Sequence, residues 1–194
     1  MFFADIRSPV GPLRLASDGT ALTGLWLAGQ KYFAAGLEPK AERAPELPVF
    51  QETAAWLKGY FCSGPLPPLP PLSPRGTAFR QTVWRRLLEI PYGRTVSYGT
   101  LAAELGSSPR AVGNAAGHNP ISILIPCHRV TGKNGALTGY AAGITVKRYL
   151  LTLEGVNLSD PGSAETAQKG RFLPTAALGP QEPPVPGGFS CPCC

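Results

Sequence analysis

Hydrophobic and polar residues alternate in short segments near the N-terminus. Residues 2–7 and 13–17 follow the two-residue period of β-strands, and Asp18-Gly19 turns the chain into an apolar segment over residues 21–27. Over residues 49–61 the apolar positions recur instead at the three- and four-residue spacing of an amphipathic helix. This pattern predicts a small α+β domain over residues 1–62, built from an antiparallel sheet and one helix.

A proline-rich segment over residues 63–76 interrupts this pattern. Its sequence, Ser-Gly-Pro-Leu-Pro-Pro-Leu-Pro-Pro-Leu-Ser-Pro-Arg-Gly, favours a semi-rigid polyproline conformation. The segment could be a ligand for a proline-binding partner, but a linker explains it more simply. We therefore predict a domain boundary here and a second domain over residues 77–158.

The second domain begins with short segments of helical periodicity. Thr77 is a typical N-cap, and the helix after it places apolar residues on one face and arginines elsewhere. Ser97 can cap a second helix that stops at Gly106, and Ser108 followed by Pro109 starts a third. Two short helices joined by a tight Gly-Ser turn are typical of a helix-turn-helix.

Positive charge is concentrated in this second domain. Residues 1–74 hold six Lys/Arg and six Asp/Glu, residues 75–158 hold ten and three, and residues 159–194 hold two and three. The whole chain has a net charge of +6, so the middle segment carries all of the excess. Such one-sided charge favours a polyanionic partner over a merely solvated face.

The side chains of the third helix are unusually small. Its surface would be nearly bare because of Ala111, Gly113, Ala115 and Ala116, with Arg110 projecting at its start. The same small residues could instead pack against another helix. In a domain of this charge, close approach to nucleic acid is the better interpretation.

Several features indicate an intracellular protein. Charges at Asp5 and Arg7 interrupt the apolar core that a signal peptide requires, and no run of about 18 apolar residues occurs. Five cysteines, three of them in the last four residues, do not make a disulfide framework and fit a reducing compartment. We expect a soluble, cytoplasmic monomer, or a nuclear one in a eukaryote, without a membrane partner. Residues 159–194 are predicted to be disordered.

A cysteine adjoins one of only two histidines in the chain, at Cys127-His128. A lone cysteine after an apolar run is often a small buried hydrophobe. A reactive thiol is favoured because His128 can act as a base, Arg129 favours the thiolate, and Pro126 fixes the backbone. In an extended segment neighbouring side chains point apart, so we expect a water to bridge thiol and imidazole. Glu154, one of three acids in the domain, is the candidate acid that orients the histidine.

The segment from Asn119-Pro120 to Ile125-Pro126-Cys127-His128-Arg129-Val130 resembles the acceptor-cysteine motif of the O6-alkylguanine-DNA alkyltransferases, or methylated-DNA–protein-cysteine methyltransferases. The resemblance covers residues 2–158 and is strongest over 77–154. It implies a winged helix-turn-helix in the second domain and direct repair of double-stranded DNA. The alkyl group of O6-alkylguanine, or of O4-alkylthymine, would pass irreversibly to Cys127 without a cofactor.

The resemblance also implies roles for individual residues. Cys127 would attack the alkyl carbon, assisted by a water, His128 and Glu154, while Asn119 orders the segment. A flipped base would be held by Tyr98 and by the backbone of Val130, Tyr140 and Ala141. Minor-groove contacts would come from the helix-turn-helix, where Arg110 replaces the extruded base. The DNA-contacting set is Ser97, Arg110, Ala111 and Gly113. Some members hold a zinc in the first domain, but this chain lacks the ligands there.

Three alternative functions belong to other classes. A lesion-binding protein with the same fold would not transfer the alkyl group, and the presence of Cys127 argues against it. In a winged-helix regulator the Cys-His pair would be accidental. A Cys-His hydrolase would need an oxyanion hole, of which the sequence gives no sign.

Overall fold

The computed structural model describes residues 1–158, and their N-terminal part forms a four-stranded sheet. Strands β1 (Phe2–Ile6), β2 (Leu13–Ser17) and β3 (Leu22–Leu27) form the predicted antiparallel meander. The short strand β4 (Glu42–Arg43) pairs parallel to β1, which gives the order β3-β2-β1-β4. A two-residue strand has no periodicity, so the sequence did not predict it. The tail predicted to be disordered lies outside the described residues.

Helix α1 (Pro48–Phe61) confirms the predicted amphipathic helix and begins with a proline in its first turn. Its apolar face is buried in the same core as the strands, through Val49, Phe50, Trp56, Leu57, Tyr60 and Phe61. The rings of Trp56 and Tyr60 stack with their centroids 5.3 Å apart. Burial of each large apolar side chain contributes about 1.5–3 kcal/mol, so this face anchors the helix.

The second half of the fold begins with three helices: α2 (Ala78–Leu88), α3 (Tyr98–Glu104) and α4 (Pro109–Gly117). Their predicted caps are all present, since the hydroxyls of Thr77, Ser97 and Ser108 each accept a hydrogen bond from a backbone N–H three residues later. The indole Nε1 of Trp84 donates to the carbonyl of Ala115 at 2.9 Å and joins α2 to α4. Helices α3 and α4 form the predicted helix-turn-helix.

The small residues of α4 divide between two faces. Ala115 and Ala116 are only 1% and 3% exposed and belong to the core, whereas Ala111 and Gly113 are half-buried. The expectation of a bare surface over all four residues is therefore wrong for two of them, because α2 packs closely against that side. Arg110 is exposed at the start of the helix, as expected.

Short elements complete the second half of the described chain. Strands β5 (Val96–Ser97) and β6 (Val130–Thr131) pair in parallel, and 3-10 turns occur at Cys127–Arg129 and Lys133–Gly135. Helix α5 (Ile144–Leu153) is the last helix of the described chain. Within residues 1–158, none of the helices has the length and apolar character needed to span a membrane.

The free edge of β3 connects the two halves. The N–H of Leu22 donates to the carbonyl of Pro71 at 2.8 Å, so the proline-rich segment is held against the sheet. The N–H of Leu25 donates to Pro120 at 2.8 Å, and the N–H of Ser122 donates back to Leu25 at 2.9 Å. The segment that leads to Cys127 is thus attached to the N-terminal sheet, and one apolar core runs through both halves.

Candidate active site

Cys127, His128 and Arg129 form a 3-10 turn, so the expectation that this segment is extended is wrong. Pro126 precedes the turn with a ψ of 61°, and its carbonyl accepts a hydrogen bond from the N–H of Arg129 at 3.0 Å. Successive side chains in a 3-10 helix are about 120° apart, so thiol and imidazole still point in different directions. No hydrogen bond joins them directly within the described structure.

Asn119 holds the segment that carries the thiol. Its Nδ2 donates to the carbonyls of Ile121 and Ile125, at 3.2 and 2.8 Å, and lies 3.2 Å from Sγ of Cys127. Its Oδ1 accepts from the N–H of Ile121 at 3.0 Å. Between these points Ile123 has φ of +71°, a left-handed conformation that costs a β-branched residue about 1–3 kcal/mol. The Asn119 contacts offset that strain and fix the position of Sγ.

The carboxylate of Glu154 is the centre of a buried hydrogen-bond network. Only 4% of the residue is exposed. Oε1 accepts from Nε2 of His128 at 2.7 Å and from the hydroxyl of Tyr60 at 2.7 Å. Arg129 donates to both oxygens, from Nε at 2.8 Å and from Nη2 at 3.0 Å, and the N–H of Gly93 donates to Oε2 at 3.1 Å. The predicted pairing of Glu154 with His128 is therefore present in the structure.

Gly93 reaches this carboxylate through a conformation that favours glycine. Its φ is +70°, and a Cβ there would lie 2.8 Å from the carbonyl oxygen of Glu154. Any side chain would push the turn away and break the N–H contact with Oε2. The glycine is therefore required by the site itself.

The charge state of Glu154 follows from its donors. Burial alone would raise its pKa, but the hydrogen bond and charge of His128 together with the Arg129 guanidinium lower it to about 2. The carboxylate is thus ionised at neutral pH and can only accept hydrogen bonds.

His128 is neutral with a defined tautomer. Its side chain is completely buried, and this burial lowers its pKa although Glu154 opposes the shift. Because the ionised carboxylate accepts from Nε2, that nitrogen carries the proton and Nδ1 keeps a free lone pair. Nδ1 is buried and has no hydrogen-bond partner within residues 1–158. The site therefore offers a buried basic nitrogen.

The thiol of Cys127 is protonated at rest. Burial raises its pKa, while the hydrogen bond from Asn119 and the Lys147 ammonium act in the opposite direction. From the sequence we predicted that the positive charge stabilising the thiolate comes from Arg129, and that prediction is wrong. The Arg129 guanidinium instead binds Glu154 and the carbonyl of Ile90, at 2.7 Å from Nη1. The cation that faces the thiol comes from another element, helix α5.

Lys147 was missed by the sequence analysis. It is completely buried on α5 and donates to the carbonyls of Val130 and Thr138, the latter at 2.6 Å. Burial lowers its pKa to about 8, and a negative charge on Cys127, once the thiol is deprotonated, acts in the opposite direction. The available signal was its position, since it shares the buried face of α5 with Leu150 and Leu151. A lysine at that spacing is a buried, partnered cation.

Two of the residues predicted to hold a base, Tyr98 and Tyr140, interact electrostatically with Cys127. The hydroxyl of Tyr98 donates to the carbonyl of Gly139 at 3.0 Å, and burial raises its pKa to about 12, aided by the Cys127 thiolate. Tyr140 is buried with its ring edge-on to His128, and its hydroxyl is unpartnered within the described chain. The carbonyl of Val130 accepts a hydrogen bond from Nζ of Lys147, and the carbonyl of Ala141 accepts one from the N–H of Lys31.

The predicted DNA-contacting residues lie on the helix-turn-helix. Ser97 serves as the N-cap of α3, while Arg110 and Ala111 lie in the first turn of α4, the arginine exposed and the alanine half-buried. A Cβ at Gly113 would lie 3.8 Å from the Tyr98 ring, so α4 packs close to Tyr98. Among residues 1–158 no group of three or more His, Cys, Asp or Glu side chains could hold a metal ion.

Acid should destabilise the protein through Glu154. Between pH 4.5 and about 2 the unfolded chain binds a proton at this carboxyl and the native site does not, so lowering the pH favours unfolding. The full shift corresponds to about 3 kcal/mol. Urea unfolding across this range should therefore show a shallower pH dependence for Glu154→Gln than for the wild type.

The matched control is Glu104→Gln, which removes an exposed carboxylate paired with Arg86 at 2.8 Å. Its pH dependence should follow the wild type, because exposed ion pairs contribute little. If the free energy of unfolding of Glu154→Gln changed with pH as steeply as that of the wild type, Glu154 would not be the source of the acid sensitivity.

Comparison with known proteins identifies the relatives of the chain. Residues 78–156 match the family described as 6-O-methylguanine DNA methyltransferase, DNA binding domain. The chain is 42% identical over 180 residues to a methylated-DNA–protein-cysteine methyltransferase of Haemophilus influenzae, covering 89% of this chain and 96% of that protein. Identity to the Mycobacterium tuberculosis protein of that name is 47% over 156 residues, covering 78% and 91%.

Solved structures give the same result. The M. tuberculosis OGT in complex with DNA matches with a TM-score of 0.72 and 44% identity, covering 79% of this chain and 92% of that one. An O6-methylguanine DNA methyltransferase from Methanococcus jannaschii matches with a TM-score of 0.58 and 26% identity, covering 90% and 100%. The resemblance inferred from the acceptor-cysteine motif and the α+β fold class are confirmed. The chain belongs to the methylated-DNA–protein-cysteine methyltransferase family.

Proposed function

We propose that this protein repairs DNA by transferring the alkyl group of O6-alkylguanine to Cys127, once per molecule. The observation that carries the proposal is a buried thiol held by Asn119 next to a neutral histidine, whose proton-bearing nitrogen is fixed by an ionised carboxylate. The names of the relatives, which describe methyl transfer to a protein cysteine, support the same reaction.

The proton is moved by His128. Nδ1 accepts the thiol proton through a bridging water, and Glu154 stabilises the resulting imidazolium through Nε2–H. The Lys147 ammonium lowers the pKa of Cys127 and so stabilises the thiolate.

Alkyl transfer is then a single displacement. The sulfur forms a bond to the alkyl carbon while the bond from that carbon to O6 breaks, and the electron pair leaves on guanine. Guanine recovers a proton from the imidazolium through solvent, which restores neutral His128. The product is a thioether that no group of the site hydrolyses, so the protein is consumed and the reaction needs no cofactor.

The alkylated nucleotide must leave the duplex to react. O6 of a stacked, paired guanine is closed to in-line attack by a protein thiol, so the nucleotide is flipped into the pocket. The flipped base would be held by Tyr98, Val130, Tyr140 and Ala141, and the buried hydroxyl of Tyr140 can offer it one further hydrogen bond. Arg110 fills the gap in the stack while the basic second half of the chain holds the phosphates.

Intact-mass analysis after incubation with a duplex containing O6-methylguanine tests this function. We expect one added methyl group per protein, mapped to Cys127 by peptide analysis and saturating at one. The same duplex with unmodified guanine should leave the mass unchanged. A protein that binds the lesion but stays unmodified would instead be a lesion-binding protein.

Arg110→Ala should slow transfer from duplex DNA about tenfold, because unstacking a base costs a few kcal/mol that the inserted side chain offsets. Affinity for undamaged duplex should fall much less. Single-turnover transfer rates and fluorescence anisotropy measure the two effects. Arg85→Ala, which removes the same charge from α2 outside the helix-turn-helix, is the matched control. Equal losses in rate and affinity for Arg110→Ala would contradict its role in base extrusion.

A further inference from the structure

Tyr60 brings the N-terminal half of the chain into the active site. It lies near the end of α1 and is only 1% exposed. Its hydroxyl donates to Oε1 of Glu154 at 2.7 Å, across 94 residues of sequence. The same oxygen accepts from Nε2 of His128 at 2.7 Å, and the Tyr60 hydroxyl lies 3.4 Å from that nitrogen. Tyr60 thus touches both partners of the catalytic hydrogen bond.

Packing alone does not require a hydroxyl at this position. The ring stacks on Trp56 at 5.3 Å and meets Phe61 and Tyr92 edge-on at 5.3 and 6.0 Å. A phenylalanine would make the same ring contacts, whereas a hydroxyl must be hydrogen-bonded to be buried without loss. Burial and the charge of Glu154 raise the pKa of Tyr60 well above its usual value, so it remains a donor.

The two carboxylate oxygens of Glu154 accept hydrogen bonds from different sets of donors. Oε2 is held by Nε of Arg129 at 2.8 Å and by the N–H of Gly93 at 3.1 Å. Oε1, which faces the histidine, has only the longer 3.0 Å contact to Arg129 in addition to Tyr60. The hydroxyl of Tyr60 is therefore the short contact that fixes Oε1 opposite His128.

We propose that Tyr60 is a positioning residue for alkyl transfer, which holds Oε1 of Glu154 against Nε2 of His128 so that Nδ1 stays aimed along the path to the thiol. The inference rests on the proposed function. It gives the N-terminal half of the chain, whose sequence shows no catalytic motif, a direct part in the chemistry.

Tyr60→Phe tests this role, with Tyr92→Phe as the matched control. Tyr92 is half-buried beside the same cluster, but its hydroxyl donates to the backbone carbonyl of Leu153 at 3.1 Å. We expect Tyr60→Phe to slow single-turnover transfer about tenfold, which corresponds to one lost hydrogen bond to a charged group. Its affinity for lesion-containing DNA should stay unchanged, and Tyr92→Phe should transfer within about twofold of the wild type.

A double-mutant cycle with Glu154→Gln separates positioning from packing. If Tyr60 acts through the carboxylate, Tyr60→Phe should cause little further slowing in the Glu154→Gln background, whereas a packing effect would add in full. If Glu154→Gln fails to fold, the two tyrosine variants still test the proposal. Slower transfer with unchanged DNA affinity in Tyr60→Phe, but not in Tyr92→Phe, supports a positioning role.

Two outcomes would overturn the inference. One is a wild-type transfer rate in Tyr60→Phe, and the other is equal slowing in both backgrounds. The proposed function fails in a different way, because the wild-type protein would then acquire no methyl group at Cys127.

Discussion

Replacing Cys127 by alanine should abolish methyl transfer while affinity for a lesion-containing duplex stays within about twofold of the wild type. In the proposed reaction the sulfur is the atom that bonds to the alkyl carbon, and alanine has no nucleophilic atom to replace it. The side-chain hydrogen bond that it accepts within residues 1–158, from Asn119 at 3.2 Å, is a weak contact to sulfur, so its loss costs little stability.

Mass analysis and a binding titration on the same preparation measure the two effects together. Cys194→Ala, which removes a cysteine of the C-terminal cluster, is a matched control and should transfer like the wild type. A methyl group that still appears on Cys127→Ala would show that another residue is the acceptor. A large loss of DNA affinity would indicate instead that the thiol shapes the binding surface.

Glu154→Ala should reduce the free energy of unfolding by about 3–5 kcal/mol, because it leaves a buried guanidinium without its partner. The side chain of Arg129 is only 10% exposed and loses both of its carboxylate contacts. The N–H of Gly93 and the hydroxyl of Tyr60 lose their acceptor as well. Transfer should also be slower where the variant remains folded, because His128 loses the group that fixes its tautomer.

Urea unfolding at neutral pH measures this stability loss. Glu104→Ala is the control, since it breaks an exposed ion pair with Arg86 and should cost at most about 1 kcal/mol. Similar losses for the two variants would mean that the buried network does not depend on its carboxylate.

Much of the local structure could be predicted because its causes are local. The caps at Thr77, Ser97 and Ser108 act within one helical turn, and each was identified from the residue type and the periodicity that follows. The first two strands followed from alternation, and the third from the apolar segment after the Asp18-Gly19 turn. The conformation of Cys127 was not predictable, since the side chain of Asn119 bends that segment from eight residues away.

The neighbours of the reactive groups were harder to infer. Arg129 adjoins Cys127 and His128 in sequence, yet its guanidinium points to Glu154. The position of Lys147 on the apolar face of α5 indicates burial, but only the packed structure shows that its ammonium binds the carbonyls of Val130 and Thr138. Sequence distance does not indicate which charge faces a given group, because burial and side-chain direction are set by packing.

The sequence by itself determined the family, the candidate acceptor cysteine with its neighbouring histidine and candidate acid, the first three strands and the main helices, and the basic second half. These properties depend on short motifs, periodicity and charge counts, all of which lie along the chain. Only the tertiary structure decided that Tyr60 and Gly93 complete the carboxylate network, that Lys147 faces the thiol, and that the proline-rich segment joins the sheet. Those contacts join distant residues, and they form only when both halves fold around one core.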